Sequence, residues 1–263
     1  MTSFEWLAVV YFGGCATAGA RSRLRVRGWL YTAGAIALVI VARFAWPWEV
    51  RAWLPHAYLV LGYWIPAAFT PAPIDRRFEN WLRRADEKLG RWGLGVGNWH
   101  HHLMELAYLL CYPLVPAAFL VVVVLGREAD IHRFWLAVLA AGYACYGTLP
   151  WTAARPPRLS GGSEGRPATP IAALNVAVLG RVSHNLNTFP SGHVAVAIAA
   201  GLAVWPVSAA WGAAVLALAV TIAVAAVAGR YHYGVDVLAG VGVGAAAATI
   251  AGVAVAVPGR PCG

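Results

Sequence analysis

Long uncharged apolar runs, separated by clusters of arginine and acid, dominate the chain. Crossing about 30 Å of hydrocarbon takes roughly 20 predominantly apolar helical residues. The runs from Ala52 to Ile74, Leu106 to Gly126, Phe134 to Ala154 and Val237 to Gly259 reach that length with no charge inside. Trp6 to Ala20 and Trp29 to Ala42 are shorter, and the second lengthens if Arg43 snorkels beside Trp46 and Trp48. As one helix, the run from Val194 to Ala228 would extend on the order of 50 Å, too far for one crossing. Pro206 breaks it, which predicts a tight hairpin around 206 to 210 and two spans whose outer ends, His193 and Arg230, emerge on the same side. The pattern predicts an all-α polytopic integral membrane bundle of about eight spans, within a range of six to eight.

Two polar stretches interrupt these runs. Between Pro71 and His102, Phe78, Trp81, Leu82, Leu89 and Trp92 recur every three to four residues among acids and arginines, the pattern of an amphipathic helix lying at the membrane interface. From Trp151 to Pro190, Pro156, Pro157, Pro167 and Pro170 with Gly161, Gly162 and Gly165 predict a loop rather than a helix. Loops of that length in compact proteins are usually functional or disordered. These breaks divide the chain into residues 1–102, carrying the N-terminal spans and the amphipathic segment, and residues 103–263, a catalytic helical core. Gly240, Gly244 and Ala248, four apart in the last span, predict a close helix contact.

Composition agrees with a membrane assignment: 60% of residues are hydrophobic, 12% are charged, and mean hydropathy is +0.63. A soluble enzyme, a disordered tail and a nucleic-acid module are excluded, since soluble domains carry about a quarter charged residues. The net charge of +9 is scattered, and Lys88 is the single lysine. Met1 to Ala20 lacks the basic start of a secretory signal and carries Glu5, so it is read as the first span. Cys15, Cys111, Cys145 and Cys262 have neither zinc-ligand nor CxxC spacing.

Three polar clusters fall at span ends on one face: Arg155-Pro156-Pro157, Pro190-Ser191-Gly192-His193, and Arg230 to Asp236. His232 and Asp236 are four apart, so a helix beginning there sets a carboxylate beside an imidazole, the pairing that orients catalytic histidines. Taken singly, such a pair is more often an interfacial His and Asp meeting headgroup water. Ser191 and Gly192 open a helix whose first unpaired N–H groups attract anions, with glycine allowing close approach; taken singly, they are a helix cap. Arg155, Arg158 and Arg230 each bring a guanidinium near, with Arg158 read as a lipid anchor and Arg155 and Arg230 as phosphate ligands. His184, Asn185 and Asn187 stand just upstream as candidate entrance residues, and Glu105 opens a span on the same face. His100, His101 and His102, about 100° apart on a helix, cannot converge on one metal ion.

Arg155-Pro156, the PSGH tetrapeptide ending at His193, and the HxxxD pair of His232 and Asp236 together resemble the three signature motifs of the type 2 phosphatidic acid phosphatase superfamily. The resemblance covers roughly residues 103 to 257 and departs from the family pattern twice. The lysine usually found seven residues before the first-motif arginine is Thr148, and the arginine usually six before the third-motif histidine is Ala226. Leu149-Pro150 and His232-Tyr233 are similar to the inositol phosphorylceramide synthase branch, whose members transfer phosphoryl headgroups. The family implies a membrane enzyme hydrolysing a phosphate ester or diphosphate of a lipid, phosphatidate-like or prenyl, through a phosphohistidine. His232 would be the nucleophile, Asp236 its orienting group and His193 the acid. Arg155, Arg230, Ser191 and the Gly192 amide would hold the phosphate, with no metal and no cofactor. The rivals are a headgroup phosphotransferase and a non-enzymatic transporter or scaffold. Most of the arginines share the active-site face, which the positive-inside rule would make cytoplasmic. The resemblance implies the opposite, a plasma-membrane protein with an extracytoplasmic site, and we adopt that orientation as the expectation. Oligomeric state is left open.

Overall fold

The computed structural model describes residues 1–19, 26–70, 76–89, 98–160 and 170–256. Within them the regular elements are helices. The chain opens with α1 (Ser3–Gly19), α2 (Val26–Ala45), the short α3 (Trp48–Arg51) and α4 (Pro55–Phe69). The amphipathic α5 (Arg76–Lys88) follows, then α6 (Asn98–Leu109) and α7 (Cys111–Leu125). Next come α8 (Glu128–Tyr146) and two one-turn helices, α9 (Leu149–Thr152) and α10 (Pro157–Ser160). The chain continues through α11 (Pro170–Val182), α12 (Gly192–Val204), α13 (Ala209–Ala228) and α14 (Gly234–Ala256).

Three of these, α2, α13 and the Gly234–Val255 part of α14, are long and apolar enough to cross a membrane. A fourth crossing arises if His102–Leu109 and Cys111–Leu125, bent by 53°, count as one span. The bend falls where Pro113 removes a backbone donor and crowds the Leu109 carbonyl one turn earlier. The helices at the remaining expected spans fall short of that length or apolarity. α1 and α4 are shorter, and α8 carries Glu128, Asp130 and Arg133 in its opening turns. α12 has only 13 residues, ended by the Pro206 turn, and is buried on almost every side, so its neighbours rather than lipid cover it. The predicted hairpin follows, with the Ser208 hydroxyl accepting from the Trp211 N–H to start α13.

Between Trp151 and Pro190 the structure corrects the expectation of a loop without helix. Once Pro170 is passed, the sequence Ile171 to Val182 is apolar and free of proline, so α11 forms with proline at its first position. Residues 161–169, which hold the glycine-rich part of that loop and Arg166, lie outside the described residues, as do Arg21, Arg23, Arg25, Arg91 and Cys262.

α8 is the central post, packed by α1, α4, α12 and α14. Its Trp135 is fully buried against Phe119 and Phe134 and donates its indole N–H to the Ala52 carbonyl at 2.8 Å. Glu5, entirely buried, is held by Arg51 through Nε at 2.9 Å, so the acid in the first apolar run is neutralised by an arginine of α3. α14 lies on α12 through the expected small residues: a side-chain carbon at Gly240 would sit 2.7 Å from the Ser191 carbonyl oxygen, and one at Gly244 would strike that of Ala195. Backbone cannot yield as a flexible side chain does, and overpacking costs about 1–3 kcal/mol or more. Gly244→Leu should therefore lower the melting temperature and folded yield; a variant melting with wild type would contradict this contact.

Candidate active site

The three polar clusters meet at one end of this bundle. His232 lies two residues before α14, and Asp236 lies in its first turn, where the helix dipole favours a negative charge. The His232 Nδ1 stands 3.4 Å from Asp236 Oδ2, and Asp236 is fully buried. The same oxygen accepts from Asn187 Nδ2 at 2.6 Å and from the Tyr233 N–H at 3.4 Å, so the carboxylate is fixed from three directions. With Nδ1 turned to the carboxylate, Nε2 is the nitrogen left for chemistry. Asn187 is itself anchored by a bridge to the first cluster, its N–H donating to the Ala154 carbonyl at 2.7 Å. Sequence reasoning treated Asn187 as an entrance residue; its buried contact with Asp236, 49 positions away, has no local signal.

Ser191 caps α12, and its N–H donates to the Asp236 backbone carbonyl at 3.0 Å, joining the second and third clusters. Its fully buried hydroxyl oxygen has no hydrogen-bond partner, an unmet polar group within one helical turn of His193 in sequence. The Gly192 N–H meets the Thr188 hydroxyl at 3.3 Å. Glycine is required at 192 for a reason other than the expected one: any side chain there would enter the Tyr146 ring. His193 and His232 face each other with ring centroids 5.7 Å apart. Tyr108 and Tyr112 flank His193 at 5.9 and 6.1 Å.

The expected arginines are arranged differently. Arg155 is gripped by Glu79 of α5, with Nη2 to Oε1 at 2.7 Å, Nε to Oε2 at 3.0 Å and the backbone N–H to Oε2 at 3.1 Å. This pairing holds the Glu79 carboxyl below its ordinary range and raises the Arg155 guanidinium. Arg230, in a left-handed backbone conformation, is exposed and donates from Nη2 to the Pro157 carbonyl at 3.1 Å. Neither guanidinium is brought to the pocket between the histidines. Arg158 is: it lines that pocket with His193, His232, Asn187 and Tyr231. Where the family lysine would stand, the Thr148 hydroxyl lies 2.6 Å from the Phe189 carbonyl and 2.7 Å from that of Cys145, tying α8 to the second cluster. Ala226 is buried, and its carbonyl accepts from the Tyr231 and His232 N–H groups.

α5 braces all three clusters. Besides Glu79, its Phe78 and Trp81 pack on the Phe189 ring, Leu82 is buried with Ala154 and Tyr233, and Asp86 accepts from the Gly234 N–H at 2.6 Å. Burial raises the Asp86 carboxyl above its usual range. Glu105 accepts from the Tyr231 hydroxyl and from Asn175 Nδ2, both at 2.5 Å, so it supports the residue beside His232.

The pocket between the histidines is small, about 20 Å³, nearer a water site than a phosphoryl group. Tyr63, Ser183 and His193 also line a second, apolar cavity of about 460 Å³ between α4, α7 and α12. At this junction the Tyr63 and Ser183 hydroxyls are 3.0 Å apart, and His184 stacks on Tyr63 at 4.1 Å. Burial lowers His184 to about 4, and its Nδ1 accepts from the Leu186 N–H, a role that only the neutral ring fills. A depressed histidine contributes stability above its unfolded pKa, near 6.5, and loses that contribution as pH falls toward about 4. Thermal midpoints should fall across this window in wild type and fall less in His184→Gln. Identical pH profiles for the two proteins would exclude the assignment.

Comparison with curated proteins gives no match, and neither does comparison with solved structures. A family model described as the PAP2 superfamily matches residues 77–250, well over half of the 263, beginning within α5 and taking in every residue of the three clusters. With the two histidines, the buried aspartate and the α12 N-terminus assembled inside that match, the chain belongs to the PAP2 superfamily, whose members are phosphatases and phosphotransferases acting on phosphate esters.

Proposed function

We propose that the protein is an integral membrane lipid phosphate phosphatase that cleaves a phosphate ester or diphosphate through a phosphohistidine. The observation that carries the lipid reading is the apolar cavity of about 460 Å³ sharing His193 with the pocket between the histidines. A tail seated there sets its phosphate beside both imidazoles, and apolar clefts with a few convergent polar groups are the usual form of such sites.

In the first step His232 Nε2 attacks phosphorus, the bond from phosphorus to the lipid oxygen breaks, and His193 gives that oxygen its proton. Asp236, fixed by Asn187, holds the ring and stabilises its cationic form. The unpartnered Ser191 hydroxyl and the N-terminus of α12 are available to the non-bridging oxygens. In the second step water attacks phosphorus, the phosphorus–nitrogen bond breaks, and His193 takes the water's proton. In the proposed membrane arrangement α1, α2, α4, the α6–α7 pair, α8, α12, α13 and α14 make eight crossings with the site on the extracytoplasmic face. Residues 1–102 then form the supporting part and residues 103–263 the catalytic core.

The test is phosphate release by purified protein in detergent, with chelator, from phosphatidate, lysophosphatidate and a prenyl diphosphate. Release without an added acceptor is the expected result. Release that appears only with a lipid or sugar alcohol, as a new phosphodiester, assigns a phosphotransferase; absence of both, from folded protein, refutes the enzyme reading.

A further inference from the structure

Resting on the phosphate-ester reading above, we propose that Arg158 is a catalytic residue: the guanidinium that grips the substrate's phosphate between His193 and His232. Two negative charges on a phosphoryl group need a cation nearby, and two of the family positions that usually supply one are Thr148 and Ala226 here. Thr148 is occupied by backbone carbonyls and Ala226 is packed inside α13. Arg155 is paired with Glu79 through Nε and Nη2, and Arg230 points to the Pro157 carbonyl. Arg158 alone of these three arginines lines the pocket that both histidines line.

Its surroundings position the charge without cancelling it. The guanidinium sits over the Tyr231 ring at 5.6 Å. That ring is immobilised in turn, stacked on Tyr108 at 3.9 Å and tied through its hydroxyl to Glu105. An aromatic face attracts a cation but accepts none of the in-plane N–H bonds, so the donor fork stays available. Arg158 Nε is buried and has no hydrogen-bond partner, and Nη2 makes a long 3.4 Å contact with Asn185. Among the described residues no carboxylate pairs with it. A buried, unmet guanidinium nitrogen beside two histidines is a prepared anion site. Because the pocket holds only about 20 Å³, its lining must shift for a phosphate to enter.

The experiment measures binding of inorganic phosphate, by calorimetry and by the phosphate-dependent rise in melting temperature, for wild type, Arg158→Gln and Arg158→Lys. In parallel, kcat/KM is measured on a short-chain phosphatidate. Wild type should bind phosphate, Arg158→Gln should bind it at least about tenfold more weakly, and kcat/KM should fall by about 10²–10³. Arg158→Lys keeps the charge but loses the fork, and should recover part of both. If Arg158→Gln does not fold, weakened phosphate binding by Arg158→Lys supports the assignment and undiminished binding overturns it. Wild-type binding in Arg158→Gln overturns it, and so does a wild type that binds no phosphate. Arg158-dependent phosphate binding without turnover of any lipid phosphate would keep this assignment and refute the lipid phosphatase reading.

Discussion

Replacing His232 with alanine should abolish phosphate release, with kcat falling by roughly 10⁴ or more, because removal of a covalent nucleophile leaves only substrate binding and the remaining polar groups. The fold should survive, since His232 lies before α14 and, among the described residues, its side chain bonds to Asp236 alone. Melting temperature and elution volume check the fold beside the rate. A variant within an order of magnitude of wild type would remove the nucleophile from His232 and with it the proposed chemistry.

Asp236→Asn should lower kcat by about 10³–10⁴, the effect of losing the carboxylate that orients a catalytic histidine. The carboxamide keeps the volume of a fully buried group, but one oxygen can no longer serve Asn187, the Tyr233 N–H and the His232 ring as a charge does. In the proposed mechanism Asp236 acts through His232 rather than on the substrate, so KM should hold while kcat falls; a matching rise in KM would mean that it acts on binding. Asp236→Ala adds a structural loss, because Asn187 Nδ2 is left without its acceptor, at about 1–3 kcal/mol.

Local pattern carried what is local in this protein. The apolar runs, the break at Pro206, the stripe of Gly240 and Gly244 and the three-to-four residue rhythm of α5 were legible because each is a matter of spacing along one helix. So was the pair His232 and Asp236, one helical turn apart. What packs on what was not legible. Glu79 reaches Arg155 across 76 positions and Asn187 reaches Asp236 across 49, and nothing in either residue's neighbourhood announces its partner. For the same reason Arg158 reads as a lipid anchor in the sequence, and its place over Tyr231 in the pocket lined by both histidines shows only in three dimensions. Gly192 followed a sound rule to a different neighbour, the Tyr146 ring. α11 is hidden by the breakers around it, because the prolines and glycines before it outweigh the apolar run that Pro170 opens.

These long-range ties also give α5 a place in the account. This amphipathic helix, bonded to Arg155 and Gly234 and packed on Phe189, holds the three motifs in register, and its other side carries Arg83, Arg84 and Lys88 outward. The match to the family model, which begins at residue 77, includes this helix.

The central claim is a covalent phosphoryl group on His232, and it is tested most directly by trapping. Protein turning over a short-chain phosphatidate labelled in its phosphate would be quenched in alkali, where a phosphorus–nitrogen bond survives, and its peptides mapped by mass spectrometry. The account predicts an acid-labile phosphoryl group on the peptide containing His232, absent from His232→Ala and accumulating in His193→Ala if the second step is the more impaired. Active enzyme that never carries label, or label that persists in His232→Ala, would contradict it.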